Sequence, residues 1–80
     1  MSLVEKIDLW KKSHSRHSLG LLERRAGIAK SSLSLIANGK RKPRLSTAAV
    51  ILSVICTCQK EAESILIDNY PEYSSLRFTV

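Results

Sequence analysis

Aromatic residues are scarce in this 80-residue chain: one Trp, two Tyr and one Phe. Four rings do not supply the stacking platforms on which single-strand nucleic-acid binders lay successive bases. Glycine is nearly as rare, at three residues, and none of them builds a glycine-rich phosphate loop. Paired carboxylates in a defensible site, or a nucleophile with an orienting His and acid, are also missing, so no enzyme is expected. The two cysteines, Cys56 and Cys58, have Cys-x-Cys spacing, not the Cys-x-x-Cys of zinc and thioredoxin-like sites. Drawn on a helix they point about 200° apart, which excludes a bond between them. They are expected to act as small, partly buried hydrophobes, and two thiols without a framework suit a reducing cytosol. No apolar run approaches the ~20 residues that span a bilayer. Glu5, Asp8, Lys11 and Lys12 fall where a secretory leader needs an apolar stretch. The expectation is a cytoplasmic protein with no membrane contact, no metal and no cofactor.

What is abundant is positive charge, and it is unevenly placed. The net charge is +6. Residues 1–44 carry eleven Lys and Arg against three acidic residues, whereas residues 45–80 carry two against four. A basic first half joined to a mildly acidic second half suggests one surface for a polyanion and another for a different task. The length allows one domain with a modest core, to which dimerisation would add.

The chain opens on Ser2-Leu3-Val4-Glu5, a capping-box pattern, and Leu3, Ile7 and Trp10 then form an apolar stripe at helical spacing. Lys11 and Lys12 suit the last turn of that helix. His14 and His17 follow in a Ser- and Arg-rich linker. They lack further ligands nearby, so a solvated loop is expected, with Arg16 near phosphate. Ser18 is a cap for a second helix running to Ala26, with Leu22 and Ala26 on its inner face and Arg24 and Arg25 outside. Gly27 ends it, because a residue without Cβ takes the left-handed conformation just past a C-terminus. Ile28 is an apolar plug between helices. A third helix starts near Ala29 and Lys30 and stops at Asn38-Gly39. At about 100° per residue, Leu33, Ile36 and Ala37 gather on one side of it. Lys30, Ser31, Ser34, Leu35 and Asn38 gather on the other, with Ser32 at the border. Lys40, Arg41, Lys42 and Arg44 follow at once, around Pro43. Small polar groups suit base edges and flanking cations suit phosphates. The same cations also read as a nuclear-localisation-like tract, which nothing else supports.

Residues 45–57 admit two readings. Val50, Ile51, Val54 and Ile55 are β-branched and fit a short buried strand, while Ser46 and Ala48-Ala49 favour a helix. Either way the segment is central to the core, with a face left for a partner. After a break at Thr57 or Cys58, residues 59–70 form a last helix. Glu61 and Glu63 are expected in its first turn, and Ala62, Ile65, Leu66 and Tyr70 on its inner face. Pro71 stops it. The tail, residues 71–80, ends in a β-prone stretch from Leu76 to Val80. A lone strand is not stable, which leaves pairing across a dimer axis, docking on the core, or disorder; contact with a partner is favoured.

The stretch from residue 16 to 57 resembles the helix-turn-helix of the lambda-repressor-like family, the phage repressor, Cro and XRE class. Leu22, Ala26, Gly27 and Ile28 match the close of that family's first helix and turn. Leu33, Ile36, Asn38, Gly39 and the following Lys-Arg-Lys-Pro match its second helix and exit loop. Three positions depart from it. Leu19 stands where members often have a phosphate-clamping Gln. Glu23 stands where a small residue is common, so its bulk and charge either hold the two helices apart or are relieved by an outward swing of the carboxylate. Ala29 replaces the Ser or Thr cap, a loss of about 0.5–2 kcal/mol.

The resemblance implies an all-α, compact four- to five-helix domain over residues 1–70, with residues 71–80 as a short C-terminal extension. It implies a bacterial or phage-encoded, sequence-specific double-stranded DNA-binding regulator, a Cro-like repressor acting as a homodimer on a two-fold operator. By position, Lys30, Ser31, Ser34 and Leu35 are the candidates for reading bases. Arg16, Ser18, Asn38, Lys40, Arg41, Lys42 and Arg44 are the candidates for holding phosphates. A second reading keeps the DNA-binding fold but makes the chain an antitoxin-type protein that holds a partner through its C-terminal half; co-purification of a second chain separates the two. A third, a nonspecific packaging protein, requires similar affinity for any duplex.

Overall fold

The computed structural model describes residues 1–73. Five α-helices follow one another: α1 (Leu3–Ser13), α2 (Leu19–Ala26), α3 (Lys30–Ala37), α4 (Leu45–Ile55) and α5 (Gln59–Asn69). Residues 71–73 are helical again, so a sixth helical stretch begins beyond the four or five expected. No strand occurs among the described residues. The expected dimer contact of the β-prone end, Leu76 to Val80, lies outside them.

Local chemistry sets three of the boundaries. Ser2 accepts the Glu5 N–H at 3.1 Å and opens α1. Ser18 does the same for α2, accepting the Leu21 N–H at 3.2 Å. Gly27 closes α2 at φ 72°, and its N–H reaches the Glu23 carbonyl at 2.9 Å. In the left-handed region a side chain would be strained, so glycine is the residue that fits.

The segment with two readings is helical. In α4, Ala48, Ile51, Leu52 and Ile55 are buried at the i, i+3, i+4, i+7 spacing of one helix face. Val50 is exposed and Val54 half-buried, so a β-branched run that suits a strand locally is overridden by packing on that face. α4 touches α1, α2 and α5, while α3 rests on α1 and α2. The shared core is Leu3, Ile7, Trp10, Leu22, Leu33, Ile36, the α4 stripe, Ile65, Leu66 and Tyr70. α1 and α5 are clasped by Asn69, whose Oδ1 accepts the Leu3 N–H at 3.3 Å while its Nδ2 donates to the Met1 and Ile65 carbonyls. Lys6 on α1 pairs with Glu61 on α5.

Three local expectations need correction. His17 is half-buried instead of solvated: its ring stacks on Trp10 at 4.2 Å between centroids, and its Nδ1 bonds the Trp10 carbonyl at 2.7 Å. Cys56 caps the end of α4 and Cys58 precedes α5, so both thiols lie in the connecting turn, and the helical argument against their bonding does not apply; they are nevertheless free. Because α5 starts at Gln59, Glu61 alone is the acid of its first turn and Glu63 lies one turn on. Among the described residues, no helix is long and apolar enough to cross a membrane.

Candidate nucleic-acid interface

The candidate base-reading residues sit on α3, whose orientation is set from inside. Leu33 is fully buried and Ile36 nearly so, and α2 and α1 cover that side. Lys30, Ser31 and Leu35 are exposed on the opposite arc, Leu35 with 36% of its surface free. Ser34 is half-buried and takes a 3.5 Å contact from the Asn38 amide Nδ2. Ser32, at the border, is half-buried as well, and the Arg41 guanidinium lies 3.5 Å from its hydroxyl.

The start of α3 is held by a residue of α2. Ala29 provides no side-chain cap. In its place the Glu23 carboxylate accepts the Lys30 N–H at 2.6 Å, from seven residues upstream on α2. The carboxylate is therefore turned toward α3, not outward. An anion there meets both an orphan N–H and the positive end of the helix dipole. Two departures from the resembled pattern, Glu23 and Ala29, thus supply one another's need.

The cationic loop is knitted to the end of α3. Gly39, at φ 73°, turns the chain so that the N–H groups of Lys40 and Arg41 both reach the Leu35 carbonyl, at 2.9 and 3.3 Å. Lys40, Arg41, Lys42 and Arg44 are all exposed, whereas Pro43 is buried. Tyr70, the residue that caps α5, lies beneath this loop with 4% of its surface free. Its hydroxyl donates to the Pro43 carbonyl, and the Lys42 ammonium sits 4.7 Å from its ring centroid, a cation–π distance. Burial, aided by Glu72, pushes the Tyr70 phenol above its ordinary range, so it remains a donor at neutral pH.

The structure thus brings Lys30, Ser31, Ser34, Leu35, Asn38, Lys40 and Arg41 onto one continuous stretch of α3 and its exit. Lys42 leans toward α5 and Arg44 marks the start of α4, which has no side-chain cap. Arg16 and Ser18 stand off the α3 arc at the N-terminal end of α2. Ser18 is exposed and, while accepting from Leu21, keeps its own O–H to donate. The Arg16 backbone N–H donates to His14 Nδ1 at 3.1 Å, and the residue is exposed.

The His14 and His17 rings are 5.1 Å apart, and no group of three or more His, Cys, Asp or Glu that suits a metal occurs among the described residues. Burial holds the Cys56 thiol above its ordinary range, against the reactivity of a thiolate. Glu23 and Tyr70 were invisible as site residues because their partners are seven and 27 positions away; only the departure of Glu23 and Ala29 from the resembled pattern signalled the first. Compared with models of known families, with curated proteins and with solved structures, the chain matches none.

Proposed function

We propose that this chain is a sequence-specific double-stranded DNA-binding transcriptional regulator of the lambda-repressor-like type, a Cro-like repressor. α2, the turn at residues 27–29 and α3 are its helix-turn-helix. The observation that carries this reading is the outward arc of α3, exposed at Lys30, Ser31 and Leu35 and half-buried at Ser34, running without a break into the exposed cations of residues 40–42.

A helix with its side chains is about 10–12 Å across and the major groove is about 12 Å wide, so α3 fits with its arc on the base edges. Lys30 meets guanine acceptors or a phosphate, Ser31 and Ser34 meet base-edge donors or acceptors, and Leu35 packs on a thymine methyl. Ser18, Asn38, Lys40, Arg41 and Lys42 hold phosphates, with Arg16 and Arg44 at the margins. The protein acts as a homodimer on a two-fold operator whose half-sites are ~34 Å apart, and it represses by occluding a promoter.

The test is enrichment of bound duplexes from a randomised pool, followed by titration on the DNA just upstream of the protein's own gene. The expected result is a two-fold-symmetric consensus with one-turn spacing, present in that upstream DNA. Enrichment without a consensus would instead indicate the packaging protein.

A further inference from the structure

We infer that Tyr70, at the end of α5, is a positioning residue for the DNA-holding loop; the inference rests on the functional reading above. Tyr70 belongs to the acidic half of the chain and lies 27 residues from its partner Pro43. It is buried among core residues, and α5 itself is fixed to α1 by the Asn69 clasp and the Lys6–Glu61 pair. The phenol is thus a rigid post under a segment that lacks regular structure from Arg41 to Arg44.

Two contacts join loop and post. The hydroxyl bonds the Pro43 carbonyl, which cannot be satisfied by a helix because α4 has not yet begun. The ring lies under the Lys42 ammonium at 4.7 Å. At the other end of the loop, Lys40 and Arg41 are tied to the Leu35 carbonyl. The four-cation segment is therefore pinned at both ends, once to the reading helix and once to α5. A pinned loop reaches the phosphates without first losing the conformational freedom that ordering it on DNA would cost. Tyr70 touches no DNA itself; it acts through Lys42 and the Pro43 peptide.

The experiment compares wild type with Tyr70→Phe, which removes the hydroxyl and keeps the ring. The probe is a mixed-sequence duplex about three helical turns long. Titrations run across a range of salt, well below the melting temperature of either protein. The expected result is an affinity about 3–10-fold weaker, the scale of one hydrogen bond. The slope of log affinity against log salt stays unchanged, because the same phosphates are met once the loop is ordered. A purely structural role would lower the melting temperature and leave this affinity unchanged, and that outcome overturns the inference. A shallower slope overturns it too, since a phosphate contact would then have been lost. Wild type that binds no duplex overturns the functional reading and this inference together, which separates the two failures.

Should Tyr70→Phe not fold, the wild-type chain still decides. The ε-methylene protons of Lys42 should be displaced upfield by the ring current of Tyr70, in free and DNA-bound protein alike. Methylenes at their unstructured-chain position overturn the inference.

Discussion

At Lys30 the first N–H of α3 is held by a carboxylate seven residues upstream, because Ala29 has no oxygen to offer. The contact substitutes for an N-cap, so its removal should cost what a cap costs. Glu23→Ala is expected to destabilise the fold by about 0.5–2 kcal/mol in denaturant unfolding. Glu23→Gln keeps an acceptor for the N–H and loses only the charge at the helix end, worth about 0.3–1 kcal/mol. Ala29→Ser should restore much of the loss in the Glu23→Ala background, since a serine there supplies the missing oxygen. If Glu23→Ala unfolds at the wild-type denaturant midpoint, the carboxylate does not cap α3.

For the elements, the two faces of α3 make opposite demands on neighbouring residues. Leu33 is wholly enclosed and Ser31 is exposed. Leu33→Ala should cost about 2–5 kcal/mol, the range for truncating a buried leucine. Ser31→Ala should change stability by less than about 0.5 kcal/mol. On DNA, Ser31→Ala should lose discrimination at one operator position, by about 1–3 kcal/mol at most, with little effect on a scrambled duplex. Thermal melts and titrations of both variants check this. A melt lowered by Ser31→Ala and untouched by Leu33→Ala would mean that the faces are assigned the wrong way round.

Those faces were legible because they depend on local rules. Ser2, Ser18 and Gly27 announce helix ends through their own backbone chemistry, and the Leu33–Ile36 stripe follows from helical period alone. What stayed hidden depends on chain folding over itself. His17 looked solvated because nothing local shows that it reaches back to stack on Trp10. Glu23 showed nothing of its capping role because its partner lies across a turn. Tyr70 read as an ordinary inner-face residue, and its bond to Pro43 exists only because α5 passes beneath the loop. α4 was ambiguous for a different reason: β-branched residues fit both states, and only burial of the Ala48–Ile51–Leu52–Ile55 stripe decides between them.

Across the whole molecule, charge is segregated along the chain: the cations concentrate before residue 45, and the acids outnumber them after it. Salt dependence is the readout of such a surface, because each phosphate neutralised releases counterions. Replacing Lys40, Arg41 and Lys42 together with alanine should weaken binding to any duplex and make the salt slope shallower by roughly 2–3 units. An unchanged slope would place the loop away from DNA. The proposed division of labour is that α3 reads sequence while the cations hold the backbone. It is tested most directly by titrating the wild-type chain, at two salt concentrations, on its selected duplex and on a scramble of it. Binding to the selected duplex should be tighter by about a thousandfold or more, and binding to both should weaken as salt rises. Equal affinity for the two duplexes, or no binding to either, would contradict that division of labour.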